Sequence, residues 1–275
     1  MPVRMTLPPT LAARLAASDR PLAGMWVCSG SAVNAEIAAG SGLDIVLIDA
    51  EHSPNGPESI LAQLHAVAAY PVAPLVRPPF GDTVVIKQYL DLGVQNLLVP
   101  MVDSPEQAAG VVRAVRYPPL GVRGVGSALA RSSRWNRVPG YLADASSSIS
   151  LFVQIESAAA VERVAEIVAV DGVDGILVGP ADLAASMGHL GRQDHSDVVE
   201  AVLRSIRAAV EAGKPAGVNA FDPAAAERYL AAGAAFVLVG ADVALLARAS
   251  EALADRFVGD GSATPAAEAA ARPEY

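Results

Sequence analysis

Residues 44–52 read DIVLIDAEH, an apolar run from Ile45 to Ile48 that ends in Asp49, Glu51 and His52. A short apolar run bounded by turn residues reads as a strand buried on both faces. The design recurs along the chain. PLAGMWVCSG (21–30) carries Trp26, APLVRP (73–78) ends in Arg77, and SLFVQIES (150–157) delivers Gln154 and Glu156. VDGILVGPADL (173–183) delivers Asp182, and PAGVN (215–219) ends in Asn219. Polar residues repeated at one end of successive buried strands are how a parallel barrel assembles an active site. One pattern therefore bears on fold and on chemistry.

Working outward, the spacing predicts strands at 22–27, 44–49, 73–76, 96–100, 150–156, 174–178, 215–219 and 236–239. Alanine-rich stretches of helical periodicity fill the intervals, among them PESILAQLHAVAAY and SDVVEAVLRSIRAAVEAG. Ser104-Pro105-Glu106 and Asp222-Pro223 are helix-start signals, and Gly93, Gly213 and Gly233 stand where helices should end. Strands alternating with helices imply parallel pairing through right-handed crossovers, and eight such units favour a closed (β/α)8 barrel. The glycines of GVRGVG (121–126) follow a helix and have the wrong spacing for a dinucleotide-binding turn. A single barrel domain is expected over 1–257, with a small, polar, flexible tail over 258–275. Residues 117–149 are too long for an ordinary connection and mix arginines with aromatics, as loops that carry function or subunit contacts do.

Composition narrows the class. Apolar residues make up 52% of the 275 and charged ones 18%, enough for one deep core. The net charge of −9 argues against a nucleic-acid partner or an anionic membrane surface, while a buried cation can still receive an anionic substrate. The lone cysteine, Cys28, excludes an intrachain disulfide and a cysteine-rich zinc site, and reads as a small buried hydrophobe. The N-terminal stretch lacks the compact apolar core of a signal peptide, and no run is long enough to span a bilayer, so a cytoplasmic location is expected.

Glu156 and Asp182 are the candidate metal ligands. A carboxylate at the end of a buried strand is costly unless compensated. Two carboxylates with water and substrate oxygens suit Mg²⁺ or a similar ion. The alternative for each is an arginine partner or a helix cap. His52, beside Asp49 and Glu51, has the surroundings of an acid/base residue, although histidines so placed are often structural. Arg77, fixed by Pro78-Pro79, can hold an oxyanion through its planar fork, or pair with Asp49 or Glu51, or both. Gly179-Pro180-Ala181-Asp182 opens a helix whose free N–H groups suit a carboxylate, which beside a metal suggests a 2-oxo acid. His65 lies on a helix, and His189 and His195 in a glycine-rich loop. No H-x-x-x-H or H-x-H spacing occurs, which speaks against a histidine-rich zinc site. Neither Lys87, in mid-helix, nor Lys214, before a strand, sits at a strand end, which disfavours a Schiff-base mechanism.

The motifs LIDAEHSPN (47–55), VRPP (76–79), IKQYLDLGVQNLLVPMV (86–102), RYPPLGVRGVGSALARSSRWNR (116–137), VQIES (153–157) and VDGILVGPADLA (173–184), in this order, resemble the 4-hydroxy-2-oxoheptanedioate aldolases among the class II pyruvate aldolases. The resemblance covers residues 20–255. It implies a (β/α)8 barrel, a divalent Mg, Mn or Co ion on Glu156 and Asp182, and reversible cleavage of a 4-hydroxy-2-oxo acid to pyruvate and an aldehyde. It also implies His52 as acid/base, Arg77 as enolate stabiliser and Asp91 as the residue that tunes His52. Trp26, Gln154 and the Gly179-Pro180-Ala181-Asp182 segment would contact the substrate. A homo-oligomer is implied, a hexamer with exchanged C-terminal helices. Ala50 replaces the glycine more usual in relatives, and AGVNAFDP (216–223) replaces a more hydrophobic stretch, which opens the aldehyde side of the site to question. Sugar-acid aldolases and acyl-CoA lyases of the citrate-lyase-like branch are the alternative activities.

Overall fold

In a computed structural model that describes residues 3–258, eight parallel strands close into a barrel in sequence order, each paired with its neighbours and β8 with β1. They are β1 (Leu22–Val27), β2 (Ile45–Asp49), β3 (Ala73–Arg77), β4 (Asn96–Val99), β5 (Ser150–Ile155), β6 (Gly175–Val178), β7 (Ala216–Asn219) and β8 (Phe236–Ala241). All eight expected strands are present, with ends moved by at most two residues. The helices are α1 (Leu11–Ala17), α2 (Ala32–Ala39), α3 (Pro57–Ala66), α4 (Thr83–Asp91), α5 (Pro105–Val115), α6 (Tyr141–Asp144), α7 (Ala158–Glu162), α8 (Val164–Val168), α9 (Pro180–Ser186), α10 (Ser196–Glu211), α11 (Pro223–Ala231) and α12 (Asp242–Phe257). The tail expected after 258 lies outside the described residues.

The capping signals act as read. Ser104 accepts a hydrogen bond from the Gln107 N–H (3.2 Å), and Asp222 accepts one from the Ala225 N–H (2.9 Å). Each satisfies a first-turn donor that the helix itself cannot.

Side chains alternate along a strand, so every second residue faces the barrel axis. Ile45, Leu47, Leu75, Leu98, Phe152, Leu177, Phe236 and Leu238 form the inner cluster. Val46, Ile48, Val76, Val153, Ile155, Ile176 and Val178 form the layer under the helices. Phe152 and Phe236 meet edge to face inside, with ring centroids 5.7 Å apart. Gly217 makes room for them, since a Cβ there would lie 2.1 Å from the Phe236 ring. The crowding means that even one methyl group at 217 would force the ring or the strand to move.

One element was not foreseen. The seven-residue α1 closes the N-terminal end of the barrel. Leu11 is fully buried in the inner cluster, its N–H donates to Asn96 Oδ1 (2.6 Å), and Ala12 N–H donates to Ser150 Oγ (3.0 Å). The long segment 117–149 also needs correction in place. It follows α5 and precedes β5, so it runs across this same floor, where Met5 N–H donates to the Arg137 carbonyl (2.9 Å). It is therefore an αβ connection at the pole opposite the strands' C-terminal ends, where a barrel builds its site from βα loops. Among the described residues, no helix is long and apolar enough to cross a membrane.

Candidate active site

The alternation that sends Ile45 and Leu47 inward also sends Asp49 inward, one step above them at the C-terminal mouth. By the same count Trp26, Arg77, Gln154, Gly179 and Asn219 close the top of the barrel. Asp49 and Arg77 are direct partners in the β2–β3 register, which places their side chains together. Arg77 Nε donates to Asp49 Oδ1 (2.7 Å), and Arg77 Nη1 lies 2.9 Å from Glu51 Oε2. The guanidinium also stands 4.4 Å from the Trp26 ring centre and donates to Gln154 Oε1 at 3.4 Å. Both acidic partners proposed for Arg77 are thus real. Burial opposes the arginine's charge, but Asp49, Glu51 and Glu156 more than offset it and hold its pKa above the ordinary value. A buried, pre-oriented fork of this kind is suited to an oxyanion.

Glu156 sits one residue past β5 and is 7% exposed. Gln154 Nε2 donates to its Oε2 (2.5 Å) and the Met101 N–H to its Oε1 (2.6 Å). Met101 reaches this position with a φ of 57°, the left-handed region that a side-chain-bearing residue adopts at a cost of order 1–3 kcal/mol. Nothing in the sequence marks that conformation. Burial, reinforced by Glu51 and Asp182 and opposed by the Met101 N–H and Arg77, pushes the Glu156 carboxyl up to about 7. Glu51 is likewise raised, first by burial and then by Asp49 and Asp182, against the pull of Arg77.

Three carboxylates, Glu51, Glu156 and Asp182, therefore converge with more negative charge than Arg77 balances. Gly179 leaves the space beside them open, because a Cβ there would lie 3.0 Å from Gln154 Nε2 and 3.4 Å from Glu156 Oε2. An all-oxygen donor set with uncompensated buried charge fits a hard divalent cation. Glu156 and Asp182 are the residues that would hold it. Asp182 lies in the first turn of α9, exposed to the mouth, where Pro180 has no N–H and the first-turn amides of Ala181 and Asp182 have no helical partner.

His52 stands at the rim. Its N–H donates to Asp49 Oδ2 (3.1 Å), while its ring is 66% exposed with Nε2 3.9 Å from Glu51 Oε2. Trp26 Nε1 donates to Asn219 Oδ1 (2.8 Å), which ties the first strand to the seventh. Asp242, at the start of α12, accepts from the N–H groups of Cys28 (2.8 Å) and Ser29 (3.3 Å) and so holds the loop after Trp26. Cys28 is half-buried rather than buried, and burial first, then Asp49 and Asp242, push its thiol up to about 12, which disfavours the thiolate.

Asp91 lies apart from His52 within one chain. It ends α4, which runs back from the mouth to the floor, whereas His52 follows the C-terminal end of β2 at the mouth. Within the chain the two do not meet. Asp91 Oδ1 instead accepts from Nη2 of the fully buried Arg123 (3.1 Å), whose guanidinium also covers the Tyr117 ring at 4.6 Å. The sequence also understated Glu51, which follows its strand by two residues and was read only as a neighbour of His52. Lys214 is at the floor, donating to the carbonyls of Val168 (2.6 Å) and Val170 (3.1 Å).

Residues 22–249 match the family described as HpcH/HpaI aldolase/citrate lyase. The chain belongs to the HpcH/HpaI aldolase/citrate lyase family. It is 58% identical over 241 residues to a hydroxypyruvate/pyruvate aldolase of Deinococcus radiodurans, an alignment spanning 88% of this chain and 87% of that one. It is 51% identical over 240 residues to a 4-hydroxy-2-oxo-heptane-1,7-dioate aldolase of Shigella sonnei, covering 87% and 92% of the two chains. A solved HpcH/HpaI aldolase/citrate lyase family protein from Burkholderia cenocepacia superimposes with a TM-score of 0.86 at 40% identity, over 90% of this chain and 98% of that one. Membership in the HpcH/HpaI family makes the protein a carbon–carbon lyase of the aldolase type.

Proposed function

We propose that this HpcH/HpaI protein is a divalent-metal-dependent pyruvate aldolase that reversibly cleaves 4-hydroxy-2-oxo acids to pyruvate and an aldehyde, with 4-hydroxy-2-oxoheptane-1,7-dioate-like substrates, succinic semialdehyde-like aldehydes and hydroxypyruvate as a second donor. The observation that carries this reading is the juxtaposition of Glu156, Asp182 and Glu51 with the buried Arg77 fork. Glu156 and Asp182 would hold the ion, Mg²⁺, Mn²⁺ or Co²⁺, which when bound polarises the keto group as a Lewis acid. Arg77, fixed by Asp49 and Glu51, holds the negative charge that develops when the C3–C4 bond breaks. Gln154 and the Ala181 amide orient the pyruvyl portion. His52 takes the 4-hydroxyl proton at the rim, with Glu51 Oε2 as its acidic neighbour. Trp26, packed on Arg77 and bonded to Asn219, shapes the aldehyde side.

Retro-aldol release of pyruvate from a 4-hydroxy-2-oxo acid, followed with and without EDTA, tests the assignment. Activity should vanish on chelation and return with Mg²⁺ or Mn²⁺, and borohydride with pyruvate should leave the protein unmodified. Full activity in EDTA would overturn the metal-dependent reading.

We further propose a homo-oligomer, a hexamer. Of the sixteen residues of α12 only Asp242 is buried, and Leu245, Leu246, Leu253 and Phe257 expose an apolar face that a second copy can cover. Because Asp91 and His52 lie at opposite poles of one chain, their pairing is open only between copies. Light scattering that returns a monomer's mass would exclude both.

A further inference from the structure

The segment 117–149 brings two arginines that the proposed reaction does not use to a cavity at the floor of the barrel. The cavity, of about 460 Å³, opens between residues 5–9 and the N-terminal ends of β3 and β4, and Arg14, Arg131 and Arg134 line it. Among the described residues no carboxylate lines it, in a chain whose net charge is −9. The guanidiniums of Arg131 and Arg134 converge over Gly93, where the Nη1 atoms of both lie within 2.8 Å of the point that a Cβ would occupy. Any side chain at 93 would push the pair apart, and the φ of 90° there suits glycine.

Backbone carbonyls, and no acid, aim these arginines. Arg131 Nη1 donates to the Leu92 carbonyl (2.9 Å), Arg134 Nη1 to the Arg131 carbonyl (2.6 Å) and Arg14 Nη1 to the Pro71 carbonyl (2.8 Å). One such bond uses a single donor of the five that each guanidinium carries. Burial first and then Arg134 push the Arg131 pKa down to about 10, and burial lowers that of Arg134, so at neutral pH both are charged and repel. Gln95, Asn96 and Tyr70 also line the cavity but are committed elsewhere. Gln95 Nε2 donates to the carbonyls of Pro8 (3.2 Å) and Ser148 (3.1 Å), Asn96 Nδ2 to that of Pro74 (2.8 Å), and the Tyr70 hydroxyl to Glu36 (3.2 Å). Arg134, Trp135 and Asn136 hold φ values of 51°, 54° and 61° in succession, a left-handed run that side-chain-bearing residues adopt only at a cost. Strain of this kind gathers where a ligand is clamped.

We propose that Arg131 and Arg134 bind a phosphate group, carried on a small ester or free, in this floor cavity, with Arg14 adding to the positive field. Planar guanidinium forks meet phosphate oxygens two at a time, and a dianion offsets the repulsion between the adjacent arginines. The cavity has the size of a small-molecule site, larger than a phosphate alone needs. Met5, Leu7, Pro8, Leu64 and Val67 give it an apolar wall against which the body of an ester packs. Met5 N–H is already bonded to the Arg137 carbonyl (2.9 Å), so a bound anion ties the N-terminal residues more firmly to the segment 117–149. The site lies at the pole opposite Glu156 and Asp182 and is independent of the aldolase reading.

Calorimetric titration of the full chain with phenyl phosphate, in a buffer free of other phosphate, tests it. Wild type should take up one phenyl phosphate per chain. Arg131→Gln and Arg134→Gln should bind it at least about tenfold more weakly, the loss expected for a charge-assisted contact, while pyruvate release without phosphate stays at the wild-type rate. Arg131→Lys keeps the charge without the fork and should fall between, and it stands in for Arg131→Gln should that variant lose the wild-type circular dichroism. Arg77→Lys, at the mouth, should titrate like wild type. Inorganic phosphate separates the two sources: weaker binding than phenyl phosphate assigns the site to an ester, and equal binding assigns it to free phosphate. No binding of either, equal affinity in wild type and both arginine variants, or binding lost only in Arg77→Lys would overturn the site.

Discussion

Arg77→Ala lowers kcat for pyruvate release by about 10²–10³-fold, the range for removing one preorganised donor from a developing oxyanion. It also destabilises the fold by about 3–5 kcal/mol. Asp49 is 1% exposed and gives up its buried partner, and a buried ion pair broken on one side leaves an uncompensated charge. Arg77→Lys separates the two effects. The ammonium keeps charge beside Asp49 and recovers part of the stability, but it lacks the fork that bridges Asp49, Glu51 and substrate, so kcat stays low. Steady-state kinetics and urea unfolding read the pair. Wild-type kcat in Arg77→Ala would remove the arginine from the reaction, and unchanged stability would contradict the burial of its partner.

Glu156→Gln should silence the enzyme while leaving it folded. The amide keeps an oxygen for the Met101 N–H but loses the charge that would hold the cation, so metal affinity falls by at least about 10–100-fold. In wild type, metal at a hundred times its Kd adds about 2.7 kcal/mol to the unfolding free energy. In Glu156→Gln that increment falls to about 0.4–1.4 kcal/mol at the same concentration. Metal-free Glu156→Gln loses little, because the substitution removes a carboxylate already disfavoured by burial and by Glu51 and Asp182. Its Gln154 neighbour must turn its amide to avoid opposing donors, which also gives up the long bond from Arg77 Nη1. Thermal unfolding in EDTA and in Mg²⁺ gives both quantities. A metal-induced rise in Tm as large as in wild type would place the ion elsewhere.

Much of this architecture is local in origin. The runs at 44–49 and 150–156 fold where the apolar pattern placed them, and period-two alternation carries Asp49 and Gln154 inward together with Leu47 and Phe152. The caps at Ser104 and Asp222 follow from residue types beside prolines. The helix α1 was not legible, because seven residues with one fully buried leucine carry too little periodicity to stand out. The strained backbone of Met101 has no residue-type signal at all. Asp91 was assigned to His52 through resemblance, and the direction of α4 takes it to the other pole of its own chain.

The sequence alone determined the eight buried strands, the chemical types at their C-terminal ends and, through its motifs, the family. Those properties reside in short runs, where hydrophobic period and residue chemistry are read without knowing what lies across the barrel. Only the tertiary structure decided which groups share one space. Barrel closure and strand register set Arg77 against Asp49, Met101 against Glu156, and Trp26 against Asn219, residues up to 193 positions apart. It also sent the arginine-rich segment 117–149 to the floor. Such contacts arise from packing between distant elements, and a local pattern carries no record of them.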